Sequence, residues 1–458
     1  MVSSARDGGL VALLRALVCG RGALLESRFV FRPLPLLAAG FLAVATLPAV
    51  AAPLVAAPLV EPLVHLAPLD LPIQPAPILT TQCQQQYQLE CYTPQQLRTA
   101  YDLNPLYRVG ITGKGRTVVV DEVYGSPTIQ HDLDAFDQHF GLPRTTLQIF
   151  KYGTVPPFDP TNDDMVGWAQ ETTLDVEVAH AIAPGAKIVV AETGVSQTEG
   201  PGGVPELTGA INALVNANDA DAVSMSWGTR EAHFPGYDQG DYSSLLSLRG
   251  PFENAVAHGV TLTASSGDGG GFPDVGGFWP SSDPLVVGVG GTHLDLANNG
   301  SRTKPDSAWT DSGGYRSTVF GRPAFQNPVA SIAGTHRVTP DISMDADPNG
   351  GMWLYSSFTP ANTGWWLGGG TSQSAPMFAS VVALADQATG HRFGQIDNAL
   401  YPLYAQHAGG IVDVTTGDTA DPANGATGFP AAPGYDQATG VGTVDAAKLV
   451  FDLLLRHP

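Results

Sequence analysis

Positive charge is what this 458-residue chain has least of: 22 Lys and Arg stand against 43 Asp and Glu, a formal net charge of -21. That balance excludes the electrostatic footprint needed to hold nucleic acid or an anionic membrane surface. Charge of either sign is sparse, at 14% of residues, while the hydrophobic fraction of 43% rules out a disordered chain. The length allows one large domain plus extra segments. An acidic, Lys-poor surface suits a secreted protein. It also limits positive self-repulsion once carboxylates protonate, which is compatible with function in acid.

Cysteine is nearly absent, with three residues in all. One long apolar run stands out, "LPLLAAGFLAVATLPAV" at residues 34–50, preceded by Arg28 and Arg32 and closed by Ala49-Val50-Ala51. This pattern reads as an export signal over residues 1–51, with a single membrane anchor at 34–50 as the alternative. Removing the signal discards Cys19 and leaves Cys83 and Cys91, eight residues apart. They form either one short disulfide-closed loop or two free buried thiols.

Residues 52–90 read as a Pro-rich tail or linker, because the prolines of "APLVAAPLVEPLVHLAPLDLPIQPAP" block helix and central strand alike. From residue 91 to 458 strand and helix signals alternate, as expected of one domain. A strand at 117–120 precedes Ser126-Pro127, a cap and first-turn proline predicting a helix to about residue 140. Further helices are predicted near 169–183, 205–217 and 243–258, with strands at "KIVVAE", "DAVSMS" and "VTLTAS" between and after them. Short β-branched runs separated by helices imply a mostly parallel sheet covered on both faces. Residues 266–365, rich in Gly, Pro and aromatics, read as long loops that carry function.

Ser372 follows the glycines of "GGGTSQSAP" at the predicted start of a helix, where unsatisfied N–H groups and the helix dipole favour a developing oxyanion. Alternatively, Thr371 or Ser372 simply caps that helix. No histidine presents itself as a base. His180 lies within a helix and reads as a packed side chain, and His258 stands at a helix end that suits a cation. Carboxylates offer more. Glu171 and Asp175 stand four apart on one helix face that borders the apolar stripe through Leu174 and Val178. Two acids in a partly buried site cannot both ionise freely, so one is tuned; the competing reading is a solvated acidic helix end. Asp268, in "TASSGDGGG", follows a strand at the carboxyl end of the sheet, where active sites gather, although turn chemistry also explains it. Trp227, in "SMSWG", is either a cleft wall or a buried strand end.

Together, "GTSQSAP", "ETTLD" and "SSGDGGG" resemble the sedolisins, serine-carboxyl peptidases with a subtilisin-like fold. The likeness runs over roughly residues 91–456 and includes "CYTPQQLRTAYDL", "DEVYGSPTIQHDLDAF", "WPSSDPLVVGVGGTHL" and "GYDQATGVG". It implies an α/β, subtilisin-like three-layer sandwich with a mostly parallel central sheet and helices on both faces. It further implies Ser372 as nucleophile, Glu171 as general base, Asp175 as the residue orienting Glu171, and Asp268 as oxyanion donor. Residue chemistry agrees, because a carboxylate base stays competent in acid where histidine would be protonated.

Asp413 and Asp436 stand among turn glycines and carbonyls, an oxygen-rich setting suited to Ca²⁺, and Asx turns are the alternative. The resemblance implies one structural calcium held by their carboxylates and the carbonyls of Val414, Ala432 and Gly434, with Ala432 standing where the family often has Gly. Sedolisins usually carry a long folded propeptide, and residues 52–90 leave no room for one. The main expectation is a secreted, monomeric, acid-acting serine-type endopeptidase with protein or peptide substrates. No nucleic acid is expected, nor membrane contact beyond the export segment. A Ser/His/Asp enzyme using Asp121 and His180, and an exported calcium-stabilised binding or surface protein on an inactive peptidase fold, are the competing readings.

Overall fold

The computed structural model describes residues 60–62, 65–66 and 73–456. The export signal, its anchor alternative and Cys19 lie outside them. Among the described residues no helix is long and apolar enough to cross a membrane. In chain order the elements used below are β1 (Glu61–Pro62), β2 (His65–Leu66), α1 (Thr80–Tyr87), β3 (Thr117–Val123), α2 (Ile129–Phe140), β4 (Gln148–Lys151), α3 (Asp163–Ile182), β5 (Lys187–Thr193), α4 (Val204–Asn216), β6 (Ala222–Met225), β7 (Trp227–Arg230), α5 (Gly250–Ala257), β8 (Thr261–Ser265), β9 (Val287–His293), β10 (Ile342–Asp345), β11 (Met352–Ser356), β12 (Gly364–Gly369) and α6 (Thr371–Thr389).

The central sheet runs β9-β8-β6-β3-β5-β4, with β10 also paired to β9 and a short antiparallel strand, Ser307–Ala308, at the β9 edge. Every pairing among the named strands of this sheet is parallel. Side chains alternate faces along each strand. Val118 and Val120 of β3 therefore enter one core with the buried residues of α3 and α6, while Val119 and Val123 enter the other with α4 and α5. Both faces of the sheet are covered, so β3 is buried along its whole length and reads as a continuous apolar run until Asp121.

Three expectations shift. The first helix begins at Ile129 after Thr128, two residues later than the Ser126 cap implied. The helix expected over 243–258 is broken into Ser243–Leu246 and α5, because Pro251 lacks an N–H to continue the first piece and instead opens the second. Residues 266–365 are far from all loop, holding β9, β10 and β11 besides Gly314–Gly321 and His336–Thr339. Glycines disguised β9. A Cβ on Gly290 would stand 2.6 Å from Ser343 Oγ, and one on Gly291 2.7 Å from Ala346 Cβ, so close packing requires glycine in a strand that propensity disfavours.

Within the stretch read as linker, residues 80–87 form α1, and Cys83 and Cys91 are joined in a disulfide with Cα atoms 6.2 Å apart.

Candidate active site

Helix α3 is buried from Glu171 to its end, with Glu171 and Asp175 fully enclosed. The solvated helix end is thereby excluded. Asp175 accepts from the hydroxyl of Ser226, at 2.9 Å on Oδ1 and 2.8 Å on Oδ2. Ser226 sits between β6 and β7, and its Oγ lies 3.4 Å from the carbonyl oxygen of Ser372. A single hydroxyl thus ties the α3 carboxylate to the backbone of the candidate nucleophile. Burial pushes the Asp175 carboxyl up to about 8, against the opposing hydrogen bond of Ser226.

Glu122 was not singled out from the sequence. It is the penultimate residue of β3, on the same face as Val118 and Val120, which aims it at α3. Burial first, then the charges of Asp175, Glu171 and Asp121, hold its carboxyl well above the usual range. Neither Glu122 oxygen has a hydrogen-bond partner among the described residues, and Asp175 is among the groups that raise its carboxyl. Two carboxyls in one buried site cannot both ionise freely, so the neutral form of Glu122 is favoured. The signal for Glu122 was present in "DEVYG", since the residue beside Asp121 must face the opposite side of the sheet.

Asp121 points to that other side, where Trp227 Nε1 donates to its Oδ2 at 3.0 Å. Trp227 is fully buried, with Trp279 at 6.0 Å between ring centroids, so its ring is a buried strand end and not a cleft wall. His180 is fully buried too. Its Nε2 meets Pro143 O at 2.8 Å and Asp137 Oδ1 at 3.1 Å, while Nδ1 has no partner among the described residues, so it is the packed helix histidine expected. With Asp121 and His180 engaged on separate partners, no Ser/His/Asp arrangement forms from them.

Ser372 is the second residue of α6, fully buried, and its Oγ has no hydrogen-bond partner among the described residues. Gly370 precedes the helix at φ 95°, a left-handed conformation that only glycine adopts without strain, and this turns the chain sharply from β12 into α6. Thr371 is held by Asp268, whose Oδ1 accepts from its backbone N–H at 2.8 Å and its hydroxyl at 2.6 Å. Thr371 Oγ1 accepts in turn from Gly267 N–H at 3.1 Å. Neither Thr371 nor Ser372 caps the helix with its side chain. Gln373 fastens the same turn to the sheet, accepting from Met352 N–H at 3.1 Å and donating to Asp345 at 2.8 Å. Asp175, Ser226, Ser372, Thr371 and Asp268 therefore form one connected set, with Glu171 one turn from Asp175 and close enough to act on Glu122.

The second set predicted from sequence also converges. Asp413 Oδ2 accepts from Gly434 N–H at 2.8 Å, and Asp436 Oδ2 accepts from Ala432 N–H at 2.7 Å. Asp436 Oδ1 accepts from the N–H groups of Ala438 at 3.0 Å and Thr439 at 2.8 Å, so the Asx-turn role is real. The carbonyl oxygens of Val414, Ala432 and Gly434 accept no hydrogen bond among the described residues. Two carboxylates beside three open carbonyls are hard oxygen donors that fit Ca²⁺.

A sequence profile described as the subtilase family matches residues 164–399. Kumamolisin from Bacillus sp. strain MN-32 is 31% identical over 386 residues, covering 79% of this chain and 64% of that protein. Sedolisin from Pseudomonas sp. strain 101 is 28% identical over 382 residues, covering 78% of this chain and 60% of that protein. The chain thus spans under two thirds of the length of these curated relatives. A solved structure of Pseudomonas sedolisin, a serine-carboxyl proteinase complexed with two molecules of pseudo-iodotyrostatin, superposes with a TM-score of 0.67 at 27% identity, over 79% of this chain and 98% of that one.

Proposed function

The chain belongs to the sedolisin family of serine-carboxyl peptidases, within the subtilases, and from that premise we propose that it is an exported, acid-acting endopeptidase that cuts proteins through an acyl-enzyme at Ser372. Glu171 takes the Ser372 hydroxyl proton and later returns it to the leaving amine. Asp175 orients Glu171 from one helical turn away. Asp268, protonated in acid, donates to the oxyanion together with the first-turn N–H of Ser372, which has no acceptor within its helix.

The observation that carries this reading is the buried link from Asp175 through Ser226 to Ser372, made without any histidine. In a set built from carboxyls the base is ionised, and the oxyanion donor still protonated, only at low pH. One structural Ca²⁺, bound by Asp413, Asp436 and the carbonyls of Val414, Ala432 and Gly434, would pin the 411–414 and 432–436 segments to each other and leave the proton transfers to the chain's own residues.

The test is hydrolysis of a denatured protein between about pH 3 and 7 by the purified chain, with Ser372→Ala and Glu171→Gln alongside. Activity should peak in acid and fall at least about 1,000-fold in both variants. A profile that rises only above neutrality removes Glu171 from the role of base.

A further inference from the structure

Close to the catalytic set stands an arginine without an acid. Arg230 closes β7, four residues after Ser226, and shares with Gly228 the face of the strand turned away from the core that holds Trp227. Among the described residues no carboxylate stands within ion-pair distance of its guanidinium, which rests instead 4.4 Å from the centroid of the Phe272 ring. The acid next to it in the chain is engaged elsewhere. Glu231 accepts from the N–H groups of Gly277 and Thr318 and from the hydroxyls of Ser282 and Ser317. In a chain with 43 Asp and Glu against 22 Lys and Arg, a half-buried arginine left to an aromatic ring is open to an anion from outside.

Two strand pairings gather the rings around it. Phe278 is the antiparallel partner of Arg230, and Phe272 is the parallel partner of Tyr315. Tyr315 stacks on both phenylalanines, with ring centroids 5.9 Å from Phe278 and 6.1 Å from Phe272. This stack lies directly on the backbone of the catalytic set. A Cβ on Gly228 would stand 2.2 Å from the Phe278 ring, and one on Gly267, the residue before Asp268, 3.6 Å from that ring and 3.3 Å from the Tyr315 hydroxyl. Glycine on both sides is what lets the rings approach so closely. The Tyr315 hydroxyl feels the charges of both Arg230 and Asp268, so the guanidinium lies near the candidate oxyanion donor. Tyr315 is buried while Phe272, Phe278 and Arg230 are partly exposed, which leaves an aromatic floor with a positive charge at its open rim.

Resting on the peptidase reading, we propose that Arg230, Phe272 and Phe278 form a substrate subsite that selects an acidic side chain, glutamate before aspartate, at one fixed position from the bond cut at Ser372. The flat rings take the methylenes, of which glutamate has one more, and the guanidinium binds the carboxylate through paired N–H donors. Arginine stays charged throughout the acid range, whereas a substrate glutamate ionises near pH 4, at about 4.3, so selection strengthens as pH rises through that value. Of the titratable groups around Arg230, Tyr315 and His233 are not anionic in acid, and Asp268 is protonated in the working enzyme.

The full chain, as wild type, Arg230→Gln and Arg230→Lys, first digests a denatured protein at about pH 5, and the cut sites are read by mass spectrometry. Glutamate should be enriched in wild type at one position relative to the cut bond. Peptides carrying Glu, Gln or Leu at that position then give kcat and KM at about pH 3 and about pH 5. Wild type should prefer Glu to Gln at least about tenfold in kcat/KM at the higher pH, and the ratio should shrink toward the lower one as glutamate protonates. Arg230→Gln should bring the ratio near one at both, and Arg230→Lys should keep an intermediate value, since a point charge replaces the fork. A wild type that cuts without acidic enrichment, or whose Glu/Gln ratio ignores pH, overturns this inference and leaves the peptidase reading standing. So does a ratio that survives in Arg230→Gln, and equal losses on all three peptides reduce Arg230 to packing and overturn it as well. If Arg230→Gln does not fold, the wild-type ratios and Arg230→Lys decide alone. Failure to digest any substrate overturns the peptidase reading and this inference with it.

Discussion

Glu122 and Asp175 are both fully buried, and the charges that raise the Glu122 carboxyl are those of Asp175, Glu171 and Asp121. Burial and these acidic neighbours all favour its neutral form. Glutamine imitates a neutral Glu122 and keeps a donor beside Asp175, whereas leucine removes every polar atom there. Glu122→Gln is therefore expected to keep kcat at the acid optimum within about threefold and to extend the alkaline limb of the kcat/KM profile. Glu122→Leu should lose about ten- to a hundredfold. Equal losses in both variants, with unshifted limbs, would leave Glu122 a packing residue only. The four-residue spacing of Glu171 and Asp175 was legible because helical geometry fixes it. Glu122 was not, because two adjacent acids at a strand end reveal their targets only when the helices on each face are known.

At the level of elements, α3 departs most from what its sequence suggests. An amphipathic helix with an acidic border was expected, and the helix is instead buried all round between β3, α2, α6 and β11, with Glu177 bonded to Tyr355 N–H at 2.9 Å. A helix enclosed on every side must find partners for its polar residues, and Asp137 and Pro143 supply them for Nε2 of His180. The turn at 432–439 carries a different expectation. Burial raises the Asp436 carboxyl, and a cation there would relieve that cost. Calcium at about a hundredfold above its Kd should stabilise the protein by about 2.7 kcal/mol. Calorimetry with and without a chelator measures this, and Asp413→Ala should abolish the difference. A Tm indifferent to the chelator in the unmodified protein would return both aspartates to turn chemistry alone.

Across the whole molecule, buried acids outnumber the cations that could hold them ionised. Burial raises Asp121, Glu122, Asp175, Glu177, Asp345, Asp386 and Asp397, with Asp175 and Asp386 each reaching about 8. In the unfolded chain such groups ionise near pH 4. From about pH 4 to 8 the folded state therefore binds more protons than the unfolded one, and stability falls as pH rises. Asp159 and Asp241, lowered by hydrogen bonds from Thr161 and Ser243, act oppositely, but they are exposed and matter only below about pH 4. Calorimetry should find Tm at pH 7.5 lower than at pH 4.5 by at least about 5 °C. A Tm that climbs over this range would show the buried acids to be stably ionised.

The sequence by itself determined the alternating parallel sheet, the helix that carries Glu171 and Asp175, the turn into Ser372 and the packed His180, because each follows from spacing along a few residues of chain. Tertiary structure alone decided that Glu122 and Asp121 serve opposite faces, that Ser226 joins Asp175 to Ser372, and that a glycine-rich stretch is a strand. It also decided that β1 and β2 pair with β7 and β12, and that Arg230 rests on Phe272 instead of on an acid. These are contacts between segments far apart in the chain, and a one-dimensional pattern records which side chains are available but not which of them the closing of the core brings together.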